Sequence, residues 1–65
     1  MDLTVTVAGD GEHELTLEGA TYADVIESVG LSVEEAVALV DGRPVPDDQP
    51  VDRADVTVLR LIHGG

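Results

Sequence analysis

Sixty-five residues allow one domain, and a chain this short buries only about 60% of the surface it exposes when unfolded. Fourteen acids against three bases leave a net charge of −11, which disfavours nucleic-acid phosphates and anionic membrane surfaces as direct partners. Cysteine is absent, so disulfides, thiolate metal sites and a cysteine nucleophile are excluded from this chain.

With no Trp or Phe and one Tyr, the core must come from Val, Leu, Ile and Ala. No apolar run approaches the ~18 residues of a membrane span, and no charged-then-apolar leader precedes the first strand. A soluble, cytoplasmic monomer is expected. At ~1 M salt the Debye length falls to about 3 Å, so the acidic excess suits a halophilic cytoplasm, where it serves solvation.

Leu3, Val5 and Val7 alternate with Asp2, Thr4 and Thr6, the period of a half-buried strand. Ala8-Gly9-Asp10-Gly11 supplies a turn. A second strand is expected from Glu12 to Glu18, with Leu15 and Leu17 inward and Glu14, Thr16 and Glu18 outward. Thr21 and Asp24 form a capping box with Asp in place of Glu, and Tyr22, Val25, Ile26 and Val29 follow at helical spacing. Gly30 closes that helix, which should lie across the hairpin.

Leu31 to Val40 is ambiguous, because periodicity does not separate a strand from a helix over Ala36-Val37-Ala38-Leu39-Val40. Asp41-Gly42 decides for a hairpin, with a strand over Ala36 to Asp41, a short return over Arg43-Pro44-Val45, and one helical turn at Glu34-Glu35. The loop from Pro46 to Asp52 is rich in turn formers and should hold one 3₁₀ turn. The last ten residues, Val56 to Gly65, read as an apolar strand running without a break into Gly64 and Gly65. No internal repeat or linker interrupts the order ββαββ plus a final strand.

Glycines at an end have no side chain to pack, so Gly64 and Gly65 read as a tail able to thread a narrow channel. A terminal carboxylate, with a pKa of roughly 3.3–3.7, is ionised at neutral pH and a very poor electrophile. Adenylation by ATP would convert it to a mixed anhydride open to attack by a thiolate, persulfide or amine.

That order, closed by Val58-Leu59-Arg60-Leu61-Ile62-His63-Gly64-Gly65, resembles the β-grasp fold of ubiquitin. Leu39 to Asp48 resembles the matching segment of the thiamine-type and molybdopterin-type sulfur carriers. Acidity and length add a resemblance to the small archaeal ubiquitin-like modifier proteins of haloarchaea. The resemblance covers essentially the whole chain. It implies an α+β fold, a ubiquitin-like β-grasp in which a mixed sheet of four to five strands wraps one helix. Residues 1–62 would form the domain and residues 63–65 a flexible diglycine tail.

The resemblance also implies that Gly65 is adenylated by an enzyme of the ubiquitin-activating type, with ATP and Mg²⁺ that this chain does not itself bind. The activated carboxylate would form an isopeptide with lysines of target proteins, or a thiocarboxylate serving sulfur-transfer or tRNA-thiolation enzymes. A dedicated sulfur carrier for cofactor biosynthesis, or a noncovalent β-grasp adaptor with incidental glycines, are the alternatives. The chain has no lysine, its bases being Arg43, Arg53 and Arg60, so lysine-linked self-chains are excluded while linkage through the Met1 amine stays open.

With Val56 and Val58 inward, alternation places Thr57, Leu59 and Leu61 on the other sheet face, where an activating enzyme could dock. Singly exposed apolar residues are also ordinary. Arg60 would either meet an acidic groove on a partner or offset nearby Asp charges, the second being preferred. His13 stands between Glu12 and Glu14, but a strand turns those glutamates to the opposite face, so His13 is expected on the surface and not in a metal site. His63 is expected only to extend the tail. No Ser/His/Asp set, phosphate-cradling glycine loop or pair of catalytic carboxylates occurs, so the chain reads as a substrate of enzymes and not an enzyme.

Overall fold

Among the described residues, five strands and one helix follow in the order β1 (Asp2–Val7), β2 (Gly11–Thr16), α1 (Tyr22–Ser28), β3 (Ala36–Val40), β4 (Arg43–Val45) and β5 (Asp55–Arg60). The structure is a computed structural model and describes residues 1–61. The sheet order is β2-β1-β5-β3-β4. β1 and β5 run parallel at the centre, while β1–β2, β3–β4 and β3–β5 are antiparallel.

The parallel central pair follows from the helix. A chain that leaves β1, turns back through β2, crosses in α1 and returns through β3 and β4 can insert its last strand between the two hairpins. α1 then covers one face of the sheet. Leu3, Val5, Val7, Ala36, Ala38, Val56 and Val58 pack from that face against Tyr22, Val25, Ile26 and Leu31. Fully burying an aliphatic side chain is worth about 1.5–3 kcal/mol, so these residues carry the fold.

The helix is only seven residues long and depends on its ends. Thr21 and Asp24 form the expected capping box, with Thr21 N–H donating to Asp24 Oδ2 at 2.9 Å. The loop expected to hold turns supplies two more acceptors, Gln49 O for Tyr22 N–H at 3.1 Å and Asp47 O for Ala23 N–H at 2.8 Å. Thr21 Oγ1 and Thr21 O accept from Asp24 and Val25, so all four amides of the first turn are satisfied. The loop itself is held by an i→i+3 bond from Gln49 N–H to Pro46 O. At the other end Gly30, at φ 85°, donates to Glu27 O while Leu31 donates to Ile26 O, a complete Schellman cap.

Asp41 (φ 53°) and Gly42 (φ 78°) both lie in the left-handed region, the geometry of a type I′ hairpin turn. That turn settles the ambiguous stretch as strand, and the segment before it closes in a single turn from Glu35 N–H to Ser32 O.

Three expectations are corrected. β2 spans Gly11–Thr16 and stops short of Glu18, although Leu17 N–H still donates to Met1 O at 3.0 Å. β5 ends at Arg60 and does not include Leu61, while the rest of the expected run lies outside the described residues. Its ladder partners are used up there: β1 ends opposite Val58 and β3 begins opposite Arg60. His13 is not a surface residue. It lies opposite Val5 on the helix-facing side of β2, half-buried, and its Nε2 finds no hydrogen-bond partner among the described residues. Alternation that turns Leu15 inward turns His13 inward as well.

Candidate functional site

The expected reactive end follows β5 in the sequence. This strand sits centrally, bonded on one side to β1 and on the other to β3, so a segment continuing from it leaves a base held by two ladders. Among the described residues the last anchor is Leu61, whose N–H donates to Glu35 O at 2.7 Å. Gly64, Gly65 and His63 lie outside the described residues, as does the expected boundary between residues 62 and 63.

Beside that anchor, the outer face of the sheet carries apolar groups. Leu59 is 41% exposed and Leu61 44%, whereas Val56 and Val58 of the same strand are buried. Cross-strand register sets Val37 opposite Leu59, Leu39 opposite Thr57 and Pro44 opposite Leu39. Val37, Leu39, Leu59 and Pro44 therefore adjoin on one surface. Sequence reasoning found Leu59 and Leu61 but missed Val37 and Leu39. The signal was there: in Ala36-Val37-Ala38-Leu39 the small residues alternate with large ones, and the alanines face the helix.

Arg60 is exposed and makes no ion pair with any described residue. Arg53 instead faces Asp41 across 3.6 Å, an exposed contact worth little. Among the described residues no group of three or more His, Asp or Glu side chains is placed to hold a metal ion. The glutamates flanking His13 point to the opposite face from its ring. Among the described residues no helix is long and apolar enough to cross a membrane.

The described body thus offers a rigid central strand, an apolar outer strip beside its end, and acidic surroundings. A family model for small archaeal modifier protein 2 matches residues 1–62. The chain belongs to that family. Small archaeal modifier protein 2 of Haloferax volcanii is 50% identical over 66 residues, covering 100% of both chains. An uncharacterized protein of Archaeoglobus fulgidus is 34% identical over 67 residues, again across 100% of both. The crystal structure of the H. volcanii small archaeal modifier protein 2 matches with a TM-score of 0.74 at 48% identity, covering 97% of each chain. The fold is accordingly α+β and ubiquitin-like, a β-grasp with a mixed sheet of five strands on one helix.

Proposed function

We propose that this chain is a ubiquitin-like modifier activated at the carboxylate of Gly65. The observation that carries the reading is the end-to-end similarity to a modifier protein, combined with Gly64-Gly65 following a central, doubly bonded strand. An adenylating enzyme supplies ATP and Mg²⁺, and the chain binds neither on its own. A carboxylate oxygen of Gly65 attacks the α-phosphorus of ATP, and pyrophosphate leaves. A lysine amine of a target protein then attacks the activated carbonyl, forming the isopeptide C–N bond, giving up a proton and expelling AMP.

The same adenylate serves sulfur chemistry. The terminal sulfur of a persulfide attacks the carbonyl, AMP leaves, and a thiol reductant cleaves the acyl disulfide to free a thiocarboxylate for transfer, for example to tRNA. Gly64 gives the clearance that a narrow channel requires. Leu59 and Leu61 dock the activating enzyme, while the exposed Arg60 between them, opposite Ala36, lies on the other face of the strand. The chain acts as a substrate and not as an enzyme, as a monomer in the cytoplasm.

The test is to incubate the chain with its adenylating enzyme, ATP, Mg²⁺ and a persulfide donor. Intact mass should report the thiocarboxylate. Because Arg60 is the last basic residue, trypsin should leave the five residues Leu61-Ile62-His63-Gly64-Gly65 on each target lysine. Deleting Gly64 and Gly65 should abolish both products. Conjugates or thiocarboxylate from the truncated chain would refute the reading, and thiocarboxylate without remnants would reduce it to a dedicated sulfur carrier.

A further inference from the structure

The sheet has two edges, and they are built differently. β4 is three residues long and pairs with β3 through a two-residue turn, so Arg43 and Val45 spend their backbone groups on β3. Only Pro44 faces outward from that edge, and proline has no N–H to offer. This edge is closed.

β2 is six residues long and contains no proline. Met1 and Leu17 exchange both backbone bonds, Met1 N to Leu17 O at 2.8 Å and Leu17 N to Met1 O at 3.0 Å. In an antiparallel ladder bonded pairs alternate, so Leu15, His13 and Gly11 likewise bond inward to β1. The N–H and C=O groups of Glu12, Glu14 and Thr16 then point away from the sheet as a row with no ladder partner among the described residues.

Side chains on this edge also alternate. Glu12, Glu14 and Thr16 are exposed on the outer face, while His13 and Leu15 are half-buried on the face toward the helix. A strand added here would place its residues directly opposite Glu12 and Glu14 on the outer face, and the intervening ones beside His13 and Leu15. Opposite charges suit the first positions and apolar groups the second. The same carboxylates work against a second copy, since pairing two β2 edges about Glu14 sets Glu14 against Glu14.

We propose that the free edge of β2 takes up an extended segment of a partner protein in which basic and apolar residues alternate. The site is separate from the chemistry of Gly65 and does not depend on it. Backbone bonds to Glu12, Glu14 and Thr16 supply the grip, and the glutamates select charge.

The test titrates the isotope-labelled chain with a synthetic peptide of about six alternating arginine and valine residues, the usual length of a strand. Amide exchange at Glu12, Glu14 and Thr16 should slow by about tenfold or more on binding. A peptide of the same composition with its arginines clustered should bind weakly, and one with glutamate for arginine not at all. Glu14→Pro removes an outward N–H and no bond to β1, so it should abolish binding while the unfolding transition is retained. Glu12→Lys with Glu14→Lys should reverse the preference to the acidic peptide. No binding by the alternating peptide, equal binding by the clustered one, retained binding in folded Glu14→Pro, perturbation centred on Leu39 and Leu59, or dimers of the chain joined through β2 would each overturn the proposal.

Discussion

The two faces of the sheet differ although the same strands make both. Toward α1, Val56 and Val58 are 2% and 0% exposed, while on the opposite side of the same strand Leu59 is 41% exposed. The difference comes from length. Burying both faces of a five-stranded sheet takes a second covering layer, and a 65-residue chain with one seven-residue helix supplies only one. The covered face makes the fold, and the uncovered face is left open to solvent.

The largest expected effect tests that division directly. Ile26, 1% exposed, lies at the centre of the covered face, and Ile26→Ala should cost about 2–5 kcal/mol in chemical denaturation. Domains hold roughly 0.05–0.15 kcal/mol of stability per residue, so for this chain the loss is a large share of the whole. Leu59→Ser on the open face should change stability by no more than about 0.5 kcal/mol, yet weaken association with the activating enzyme. Equal stability losses from the two substitutions would erase the distinction.

How far this division could be read in the residues depends on how local its causes are. β1, the capping box, the Asp41-Gly42 turn and the Gly30 cap were legible because each is fixed by neighbours a few positions apart. Strand ends were not. β5 stops at Arg60 because β1 has already ended opposite Val58 and β3 begins opposite Arg60, and register is a property of the assembled sheet. His13 differs for another reason: the alternation that turns Glu12 and Glu14 away from it also sets it on the face of Leu15, which the helix side covers. The outer strip was half legible, since Leu59 and Leu61 show in β5 but Val37 and Leu39 join them only through pairing. The glycines of the proposed reactive end are legible only as sequence, as they lie outside the described residues.

A smaller effect concerns how the covering layer is attached. Thr21→Ala removes the side chain that accepts from Asp24 and leaves the Asp24 carboxylate with one partner fewer. A lost N-cap of this kind costs typically about 1 kcal/mol. Because Gln49 O and Asp47 O still hold Tyr22 and Ala23, the loss should stay near that value and not melt α1. Hydrogen exchange in α1 that accelerates to the rate of global unfolding would show that the cap, and not the loop, holds the helix on the sheet.

The smallest effect at neutral pH comes from within the covered face. The Tyr22 ring is buried, and its hydroxyl lies 3.4 Å from Asp52 Oδ1, a long contact for an O–H donor. Tyr22→Phe should therefore cost less than about 1 kcal/mol at neutral pH. At high pH the residue matters more. Burial raises the phenol above its ordinary value of 10.0, the Asp52 carboxylate pushes the same way, and the Asp52 backbone and Arg53 oppose without cancelling. A raised value in the folded state means that folding favours the neutral phenol. Its stabilising share is complete below the unfolded value of about 10 and is lost as pH rises through the higher folded one. As Tyr22 is the only tyrosine, alkaline absorbance titration reports it alone, and ionisation should coincide with falling stability. Tyr22→Phe should remove that part of the alkaline decline. A phenol that titrates at its ordinary value without any loss of fold would mean that the covered face admits water around Tyr22, and the contrast between the two faces would weaken there first.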